Sequence, residues 1–458
     1  MNNAYDLVIR GGEVVTSHEQ YRADVAVRGG KIAAIGLGLR GEREIDASGR
    51  LVIPGAIDGH VHMRTNRSTD VYDDTFATGS IAAAFGGVTT MLDQVQVEPG
   101  QTLAEGIDLR LAEAEGQSII DYGFHINLRE SSRERIAEMP SIAERGFRRF
   151  KFFMFYEGYK LPDEIIFAAM QEVAGFGGLS IVHAENQAVI LELIRQNAAA
   201  GRTGAFWNAR SRPSAIEGEA VHRALAMALV AGSDALIFHV SAADAVRELR
   251  LAKQRGQTAY SEACLHYLLL DESALNTTPG DITLDVSPPL RDAAQRNALW
   301  EGLEAGVLDI VSSDHGPRRR RPDANGTLIA PPGTSGIEMR LGLMYTEGVR
   351  TGRLSLQRWV DACCSRPARV HGLAHKGELR PGYDADIVVF DPEIEMTLST
   401  ERMHSNVDHC TYEGFRVKGW PAATVSRGEV LVENGRLTSS TRRGQLIDTP
   451  RQYNKKSG

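Results

Sequence analysis

Two histidines stand two residues apart directly after an apolar run. The stretch "PGAIDGHVHM" begins at Pro54 and contains His60 and His62. Residues i and i+2 of a β-strand point to the same face, so the two imidazoles would lie together if this run is a strand. Two such rings can hold a divalent metal ion. Hydrogen-bonded structural histidines would give the same pattern, and this stretch alone leaves both interpretations open.

Other apolar runs carry further residues that can bind metal ions or move protons. They are Lys151 in "RRFKFFMFY", His183 in "LSIVHAE", His239 in "ALIFHVS" and Asp314 in "VLDIVSSDH". Random placement would scatter such residues over helices and loops. Their concentration in these runs therefore favours one shared site.

Lys151 is the unusual member of this set, because it stands among aromatic residues. An ion pair with a carboxylate inside the fold would explain it. Alternatively, burial lowers the pKa of a lysine, so that its amine can be neutral and nucleophilic. A neutral amine can capture CO₂ as a carbamate, whose two oxygens can bind two metal ions. The sequence pattern does not decide between these interpretations.

These residues need a scaffold that brings strand ends together. Eight short apolar runs alternate with longer amphipathic stretches such as "DEIIFAAMQEVAGF". This rhythm predicts an α/β fold, a (β/α)₈ TIM-like barrel, in which chemistry is placed at the C-terminal ends of the strands. The predicted strands are residues 51–62, 88–95, 119–127, 148–156, 179–185, 235–241, 258–263 and 307–315.

The two ends of the chain have a different texture, with alternating short β segments and frequent glycine turns. We predict that residues 1–53 and 372–437 form one small β-sandwich domain beside a barrel of residues 54–371. The tail, residues 438–458, is polar. It is expected either to be disordered or to pack as an arm on a neighbouring subunit.

Composition excludes several classes of protein. The 458 residues carry a formal net charge of −8, which disfavours a nucleic-acid partner. The four cysteines form no C-x-x-C pair, so we do not expect a disulfide framework. We expect a reducing, cytoplasmic location instead. We find no signal-peptide pattern and no apolar run of membrane-spanning length, so no membrane partner is predicted.

Many motifs together resemble the amidohydrolase superfamily, and within it the cyclic amidohydrolases close to hydantoinase and dihydropyrimidinase. They include "PGAIDGHVH", "AAAFGGVTTMLD", "FKFFMFY", "VHAEN", "HVSAADAV", "SPPLR", "SSDH", "GIEMRLGLMYTEGV", "GYDADIVVFDP" and "YEGFRVKGWP". The resemblance runs from the first β segment to about Arg436. It implies a homo-oligomer, a dimer or a tetramer, acting on a small cyclic amide.

The resemblance also implies a binuclear metal site, expected to hold zinc. His60 and His62 would bind the more buried ion, together with Asp314. His183 and His239 would bind the more exposed one. Carbamylated Lys151 and a hydroxide would bridge the pair.

The implied reaction is ring opening of a dihydropyrimidine or a 5-substituted hydantoin to an N-carbamoyl amino acid. The hydroxide would attack a ring carbonyl, while Asp314 moves its proton to the leaving nitrogen. Tyr156 would donate a hydrogen bond to the oxyanion, and Ser287 would meet the ring through its main chain. Because Lys151 and Tyr156 are five residues apart, Tyr156 must lie past the end of its strand.

Three features depart from the hydantoinase pattern. Pro332 stands where hydantoinases carry an asparagine whose backbone meets the substrate, and proline has no N–H to donate. Arg64, in "HVHMR", resembles allantoinases and dihydroorotases. It would bind an anionic substrate group or pair with an aspartate of the loop after it (Asp70, Asp73 or Asp74). The run Arg318–Arg321 is either a solvated loop or a means of attracting anionic substrates.

Two alternative functions are also open. One is ring hydrolysis of the allantoinase or dihydroorotase type. The other is a non-catalytic scaffold related to dihydropyrimidinase, which predicts missing metal ligands, whereas all six positions are present here. Spacing does not identify the substrate or its preferred enantiomer, because these depend on loops.

Overall fold

Five strands at the start of the chain begin a mixed β-sheet. Strand β1 pairs antiparallel with β2 and parallel with both β4 and β5, and β3 extends the sheet beyond β2. Their bounds are β1 Tyr5–Val15, β2 Gln20–Arg28, β3 Lys31–Gly36, β4 Gly41–Asp46 and β5 Leu51–Pro54. The computed structural model describes residues 5–64, 73–276, 283–322, 328–329 and 331–448.

Eight parallel strands follow and form a barrel. They are β6 Ala56–Val61, β7 Val88–Gln96, β8 Asp121–Asn127, β9 Arg149–Phe153, β10 Leu179–His183, β11 Asp234–Ile237, β12 Ala259–Cys264 and β13 Ile310–Ser312. Each strand pairs with the next one along the chain. The ring closes between β13 and β6, where the His62 N–H donates to the His315 carbonyl at 2.7 Å. The predicted barrel is therefore confirmed.

Helices connect the barrel strands and pack on their outer face. They are α1 Phe76–Phe85, α2 Leu103–Ala114, α3 Arg133–Glu144, α4 Asp163–Gly175, α5 Gln187–Ala199, α6 Ala205–Arg210, α7 Ser214–Ala231, α8 Ala243–Gln254, α9 Leu265–Leu269 and α10 Ala293–Glu304. Local sequence sets their ends. At α2, Thr102 and Glu105 form a capping box in which each side chain accepts the other's backbone N–H. None of the helices in these described ranges is long and apolar enough to cross a membrane.

The last part of the chain adds helices after the barrel strands and completes the mixed sheet. A short hairpin, β14 Arg321–Pro322 and β15 Leu328–Ile329, precedes α11 Arg340–Met344, α12 Leu356–Val360 and α13 Arg366–Val370. Strands β16 Ile387–Thr397, β17 Arg416–Ser426, β18 Glu429–Glu433 and β19 Arg436–Leu437 then join the first sheet through the antiparallel pair of β16 with β5. Both chain ends therefore build one nine-stranded mixed sheet beside the barrel.

The described part of the C-terminal tail packs on the chain's own barrel. The Phe124 N–H donates to the carboxylate of Asp448 at 2.7 Å, and Arg149 forms a salt bridge with the same carboxylate. Backbone hydrogen bonds join Tyr122 to Gln445 and Ile447. The tail therefore covers the N-terminal end of β8 up to Asp448. Residues 449–458 lie outside the described ranges.

A buried ammonium joins the sheet to the barrel. Lys376 Nζ lies 2.6 Å from Asp121, at the start of β8, and 2.7 and 3.1 Å from Asp386 and Asp384, which precede β16. Its side chain is 3% exposed. Burial alone would lower the pKa of Lys376, but the three carboxylates outweigh it and hold the pKa above its ordinary value. The ammonium therefore stays charged and neutralises them.

Replacing Lys376 by methionine should destabilise the fold strongly. Buried carboxylates would lose their counter-charge, and breaking a buried ion pair typically costs about 3–5 kcal/mol. Thermal and urea unfolding would measure the loss. Lys418→Met is the matched control, because Lys418 is half-buried at the surface and pairs with the exposed Glu393 and Glu395. Equal shifts in the two variants would contradict a special role for Lys376.

Candidate metal centre

All six residues predicted to bind metal line one cavity at the C-terminal mouth of the barrel. The cavity has a volume of about 460 Å³. His60 lies in β6, and His62 directly follows that strand. Lys151 lies in β9, and His183 is the last residue of β10. His239 follows β11, and Asp314 follows β13. The parallel strands thus bring together side chains that are up to 254 residues apart in the sequence (314 − 60).

One half of the centre contains two histidines and a carboxylate. An oxygen of Asp314 lies 3.3 Å from Nε2 of His60 and 3.0 Å from Nε2 of His62. Nζ of Lys151 lies 3.2 Å from the same His60 nitrogen. These three side chains therefore face one point, and Lys151 lies beside it.

The other half contains the second pair of histidines. Nδ1 of His183 lies 2.9 Å from Nε2 of His239. The second ring nitrogen of His183 contacts Glu185 at 2.7 Å, and Arg212 pairs with Glu185 at 3.1 Å. This contact fixes the His183 ring so that Nδ1 faces His239.

The protonation state of these groups suits a divalent cation. Burial lowers the pKa of both His60 and His239 well below the ordinary value, so each ring is neutral and has one unprotonated nitrogen that can bind metal. Burial alone would raise the pKa of Asp314, but His60 and His62 hold it well below its usual range. Neutral imidazoles beside an ionised carboxylate are ordinary zinc ligands, so the residues present fit such an ion.

Lys151 has the surroundings expected of a reactive amine. Its side chain is buried, and Nζ lies over the rings of Phe153 and Phe238 at 5.0 and 4.8 Å from their centroids. Burial lowers the pKa of Lys151 to about 8. Lys151 forms no salt bridge with any residue in the described ranges. Of the two interpretations from the sequence, these observations favour an amine that can lose its proton near neutral pH over the structural ion pair.

A carboxyl group behind the centre was not found by sequence reasoning. Glu262 in β12 is fully buried, and its Oε1 lies 2.9 Å from Nδ1 of His60. The same oxygen accepts the backbone N–H of His239 at 3.1 Å. Burial raises the pKa of Glu262 to about 8. Glu262 therefore contacts one proposed ligand from each half. The sequence feature that could have indicated it is an acidic residue inside an apolar strand.

Three residues of the site have left-handed backbone conformations. Tyr156, His239 and Asp314 have φ angles of 81°, 42° and 49°. Side chains other than glycine seldom adopt this region, because it brings Cβ close to the backbone. Such strain persists where the surrounding fold enforces it, and it concentrates at functional sites. All three belong to the residues that the sequence predicts to act at this site.

Tyr156 lies beyond the strand end, as the spacing from Lys151 predicted. Strand β9 ends at Phe153, and the Tyr156 ring lies 4.9 Å from the ring of His183. Its hydroxyl donates a long hydrogen bond of 3.5 Å to the Ser287 carbonyl across the cavity. Burial raises the pKa of Tyr156 above its ordinary value, so the hydroxyl keeps its proton at neutral pH.

The other predicted contact residues differ in their placement. Ser287 and Pro332 line the cavity, and so does Arg318. Arg64 is exposed, and it is absent from the cavity wall as far as the described ranges define that wall. Asp70, one of its suggested partners, lies outside those ranges.

Most of the arginine run is held by neighbouring loops. The Arg319 backbone N–H donates to Asp73 at 2.6 Å, and its side chain contacts Asn406. The Arg320 backbone N–H donates to Asp408 at 3.0 Å. These contacts anchor the loop that carries Arg318 to the cavity.

Known proteins resemble this chain along nearly its whole length. The family model described as "Amidohydrolase family" matches residues 51–431. A D-hydantoinase of Streptomyces coelicolor is 39% identical, with 97% of each chain covered. The solved D-hydantoinase of Bacillus sp. AR9 has a TM-score of 0.91 at 37% identity, covering 98% of this chain and 100% of that one. The dihydropyrimidinase of Brevibacillus agri NCHU1002 also has a TM-score of 0.91, at 35% identity and 97% and 99% coverage. The similarity extends over the barrel and the end sheet alike.

Proposed function

This chain belongs to the amidohydrolase family, and we propose that it opens dihydropyrimidine or 5-substituted hydantoin rings to give N-carbamoyl amino acids. It is an enzyme that hydrolyses cyclic amides, as the full-length similarity to D-hydantoinases and a dihydropyrimidinase indicates. The observation that carries the finer proposal is the convergence of His60, His62, Lys151, His183, His239 and Asp314 on one cavity. We further propose a cytoplasmic homo-oligomer.

The donor set of the cavity fits two divalent ions, which we propose to be zinc. His60, His62 and Asp314 would hold one ion, His183 and His239 the other, and Lys151, carboxylated by CO₂, would join them. Two ions bound there supply an activated water at neutral pH and polarise the ring carbonyl. Glu262 would orient His60 toward the pair, as a group in hydrogen-bond contact with a metal ligand commonly does.

Asp314 is the group that moves the proton. It is ionised, it is 19% exposed, and it lies at the cavity wall. As the C–O bond forms at the ring carbonyl, its carboxylate takes a proton from the attacking water. It then gives that proton to the ring nitrogen as the C–N bond breaks. One carboxylate thereby serves as base and then as acid.

Tyr156 and the loop of Ser287 would hold the substrate. The Tyr156 hydroxyl, protonated at neutral pH, would release the Ser287 carbonyl and donate to the oxygen that becomes negative during attack. The main chain at Ser287 and the carbonyl of Pro332 would face the ring amide. Since Pro332 has no N–H, ring recognition on that side would depend on acceptors alone.

A ring-opening assay on zinc-loaded protein tests this function. Dihydrouracil and 5-substituted hydantoins should be opened at measurable rates, and removing the metal by chelation should abolish turnover until zinc is restored. Metal content, measured by emission spectroscopy, should approach two ions per chain. Allantoin is a 5-ureidohydantoin and dihydroorotate is a carboxylated dihydropyrimidine, so a strong preference for either of them over dihydrouracil and over hydantoins with alkyl or aryl substituents would favour the alternative ring hydrolases. Metal-loaded protein inactive on every ring would overturn the proposed function.

A further inference from the structure

The seam that closes the barrel has little backbone pairing of its own. Every other pair of neighbouring barrel strands is joined by a ladder, whereas in the described ranges the β6 and β13 segments meet at one backbone bridge, between Val61 and His315. One half of the proposed metal centre spans this seam, since His60 and His62 come from the β6 side and Asp314 from the β13 side. We call these three residues the seam half. Its geometry therefore depends on what else joins the two strands.

A buried aspartate joins the two strands. Oδ1 of Asp58 accepts the backbone N–H of His60 at 3.3 Å and that of Ser313 at 3.1 Å. His60 is a proposed ligand, and Ser313 directly precedes another, Asp314. Asp58 is fully buried. One carboxylate oxygen thus holds the main chain at or beside a ligand on each side of the seam.

A buried arginine joins the same two strands. Arg340, the first residue of α11, donates from Nη1 to the Val311 carbonyl at 2.7 Å and from Nη2 to the Ile57 carbonyl at 2.9 Å. Val311 lies in β13 and Ile57 in β6. Nε of Arg340 lies 3.4 Å from Oδ2 of Asp58, and neither side chain is exposed. The planar guanidinium therefore ties one carbonyl of each strand together and pairs with the carboxylate that holds the same seam.

The other half of the centre is held in a different way. His183 and His239, which we call the ladder half, stand at the ends of β10 and β11. These two strands pair in a regular parallel register over four consecutive residue pairs. The backbone of Asp314, by contrast, has a φ of 49°, a strained conformation that persists only where its surroundings enforce it. The seam half thus depends on side chains for a spacing that a backbone ladder gives to the ladder half.

We propose that Asp58 and Arg340 are positioning residues that set the spacing of the seam half and thereby its affinity for zinc. This inference rests on the proposed function and concerns the same site. Neither residue belongs to the cavity wall as the described ranges define it, so both act through the main chain of the ligands and not on the substrate. Groups that orient metal ligands commonly change metal affinity or activity by about 10–100-fold when they are replaced.

Zinc binding by variants that keep one half of the centre tests the proposal. His239→Ala disables the ladder half, and His62→Ala disables the seam half. Arg340→Lys keeps a charge beside Asp58 but lacks the planar fork that reaches both carbonyls. It should lower zinc affinity by about 10–100-fold in the His239→Ala protein and leave it unchanged in the His62→Ala protein. Chelator-buffered zinc and emission spectroscopy would measure both affinities.

A graded series at Asp58 gives a second measurement. Asp58→Asn keeps an acceptor oxygen for the two backbone N–H groups and loses the ion pair, whereas Asp58→Ala loses both. In the His239→Ala protein, the loss of zinc affinity should therefore be intermediate for Asp58→Asn and largest for Asp58→Ala. A general loss of packing would lower the melting temperature without this dependence on which half remains.

Arg358→Lys is the matched control. Arg358 is also a buried arginine that pairs with an aspartate, and it donates to main-chain carbonyls away from β6. Its partners are Asp361, Leu303, Leu308 and Asp309. Arg358→Lys should lower the melting temperature and leave the zinc affinity of both halves unchanged.

Three outcomes would contradict these expectations. Equal losses of zinc affinity from both halves in Arg340→Lys would overturn the positioning role, and so would a lower melting temperature with unchanged affinity in the seam half. If Arg340→Lys does not fold, the Asp58 series decides by the same two criteria. Wild-type protein that binds no zinc would overturn the proposed function itself.

Discussion

Lys151→Ala is expected to yield folded protein that binds little metal and has lost its turnover by roughly 10³-fold or more. We propose that Lys151 joins both halves of the centre, because its Nζ lies 3.2 Å from Nε2 of His60 and its charge adds to the effect of burial in lowering the pKa of His239. Without a bridging carbamate, the four histidines and Asp314 would form two separate and weaker sites. Emission spectroscopy for zinc and the ring-opening assay would measure both losses.

Chemical rescue distinguishes a bridge from a general packing effect. A short carboxylic acid can occupy the space left by the lysine and offer two oxygens, so acetate or propionate should restore part of the metal content and rate. Lys160→Ala is the matched control, because Lys160 is exposed in the loop that follows β9. Mass spectrometry of the intact wild-type chain should show the mass of one added CO₂. Full activity in Lys151→Ala would refute the bridging role.

The pKa of Lys151 gives this modification a pH dependence. Only the neutral amine reacts with CO₂, and its fraction increases as the pH rises through the pKa, which burial lowers to about 8. Roughly a tenth of the amines would be neutral at pH 7, far more than for a free lysine. Metal-free protein supplied with zinc, and with bicarbonate adjusted to give the same dissolved CO₂ at both pH values, should therefore recover activity faster at pH 9 than at pH 7.

The sequence predicts the barrel, and it predicts that the six proposed metal ligands lie together in one cavity, because both depend on local patterns. Each ligand stands in or directly after a short apolar run, and parallel strands bring such positions to the same end of a barrel. The boundary between two strands within residues 51–62 was harder to predict. These residues form β5 of the end sheet and β6 of the barrel, separated at Gly55. The division depends on pairing of β5 with β16, which lies more than 330 residues away (387 − 54 = 333).

Residues that act through another side chain could not be predicted from spacing. Glu262 lies two residues before Cys264 in an otherwise ordinary strand, and only the folded barrel shows that it contacts His60.

Asp314→Asn should keep the fold and the cavity while lowering kcat by about 10²–10⁴-fold. Asparagine has nearly the same volume and can still offer one oxygen, but it does not accept a proton at neutral pH. The ionised carboxylate at 3.0 Å from His62 would thus be replaced by a group with no basic site. A large fall in kcat, with an unchanged circular dichroism spectrum and an unchanged melting temperature, would show that the variant has lost the catalytic step and kept its fold.

The measurement must also separate proton transfer from metal binding, because Asp314 is assigned to both. Zinc content should fall far less than kcat, and Asp285→Asn serves as the control, since Asp285 lines the same cavity and accepts a hydrogen bond from Asn208. A substrate with a better leaving nitrogen needs less protonation as its C–N bond breaks, so the Asp314→Asn defect should be smaller for such a substrate. Near-normal kcat in zinc-loaded Asp314→Asn would refute the proton-transfer role. If the fall in kcat is fully explained by the loss of zinc, Asp314 acts only as a metal ligand.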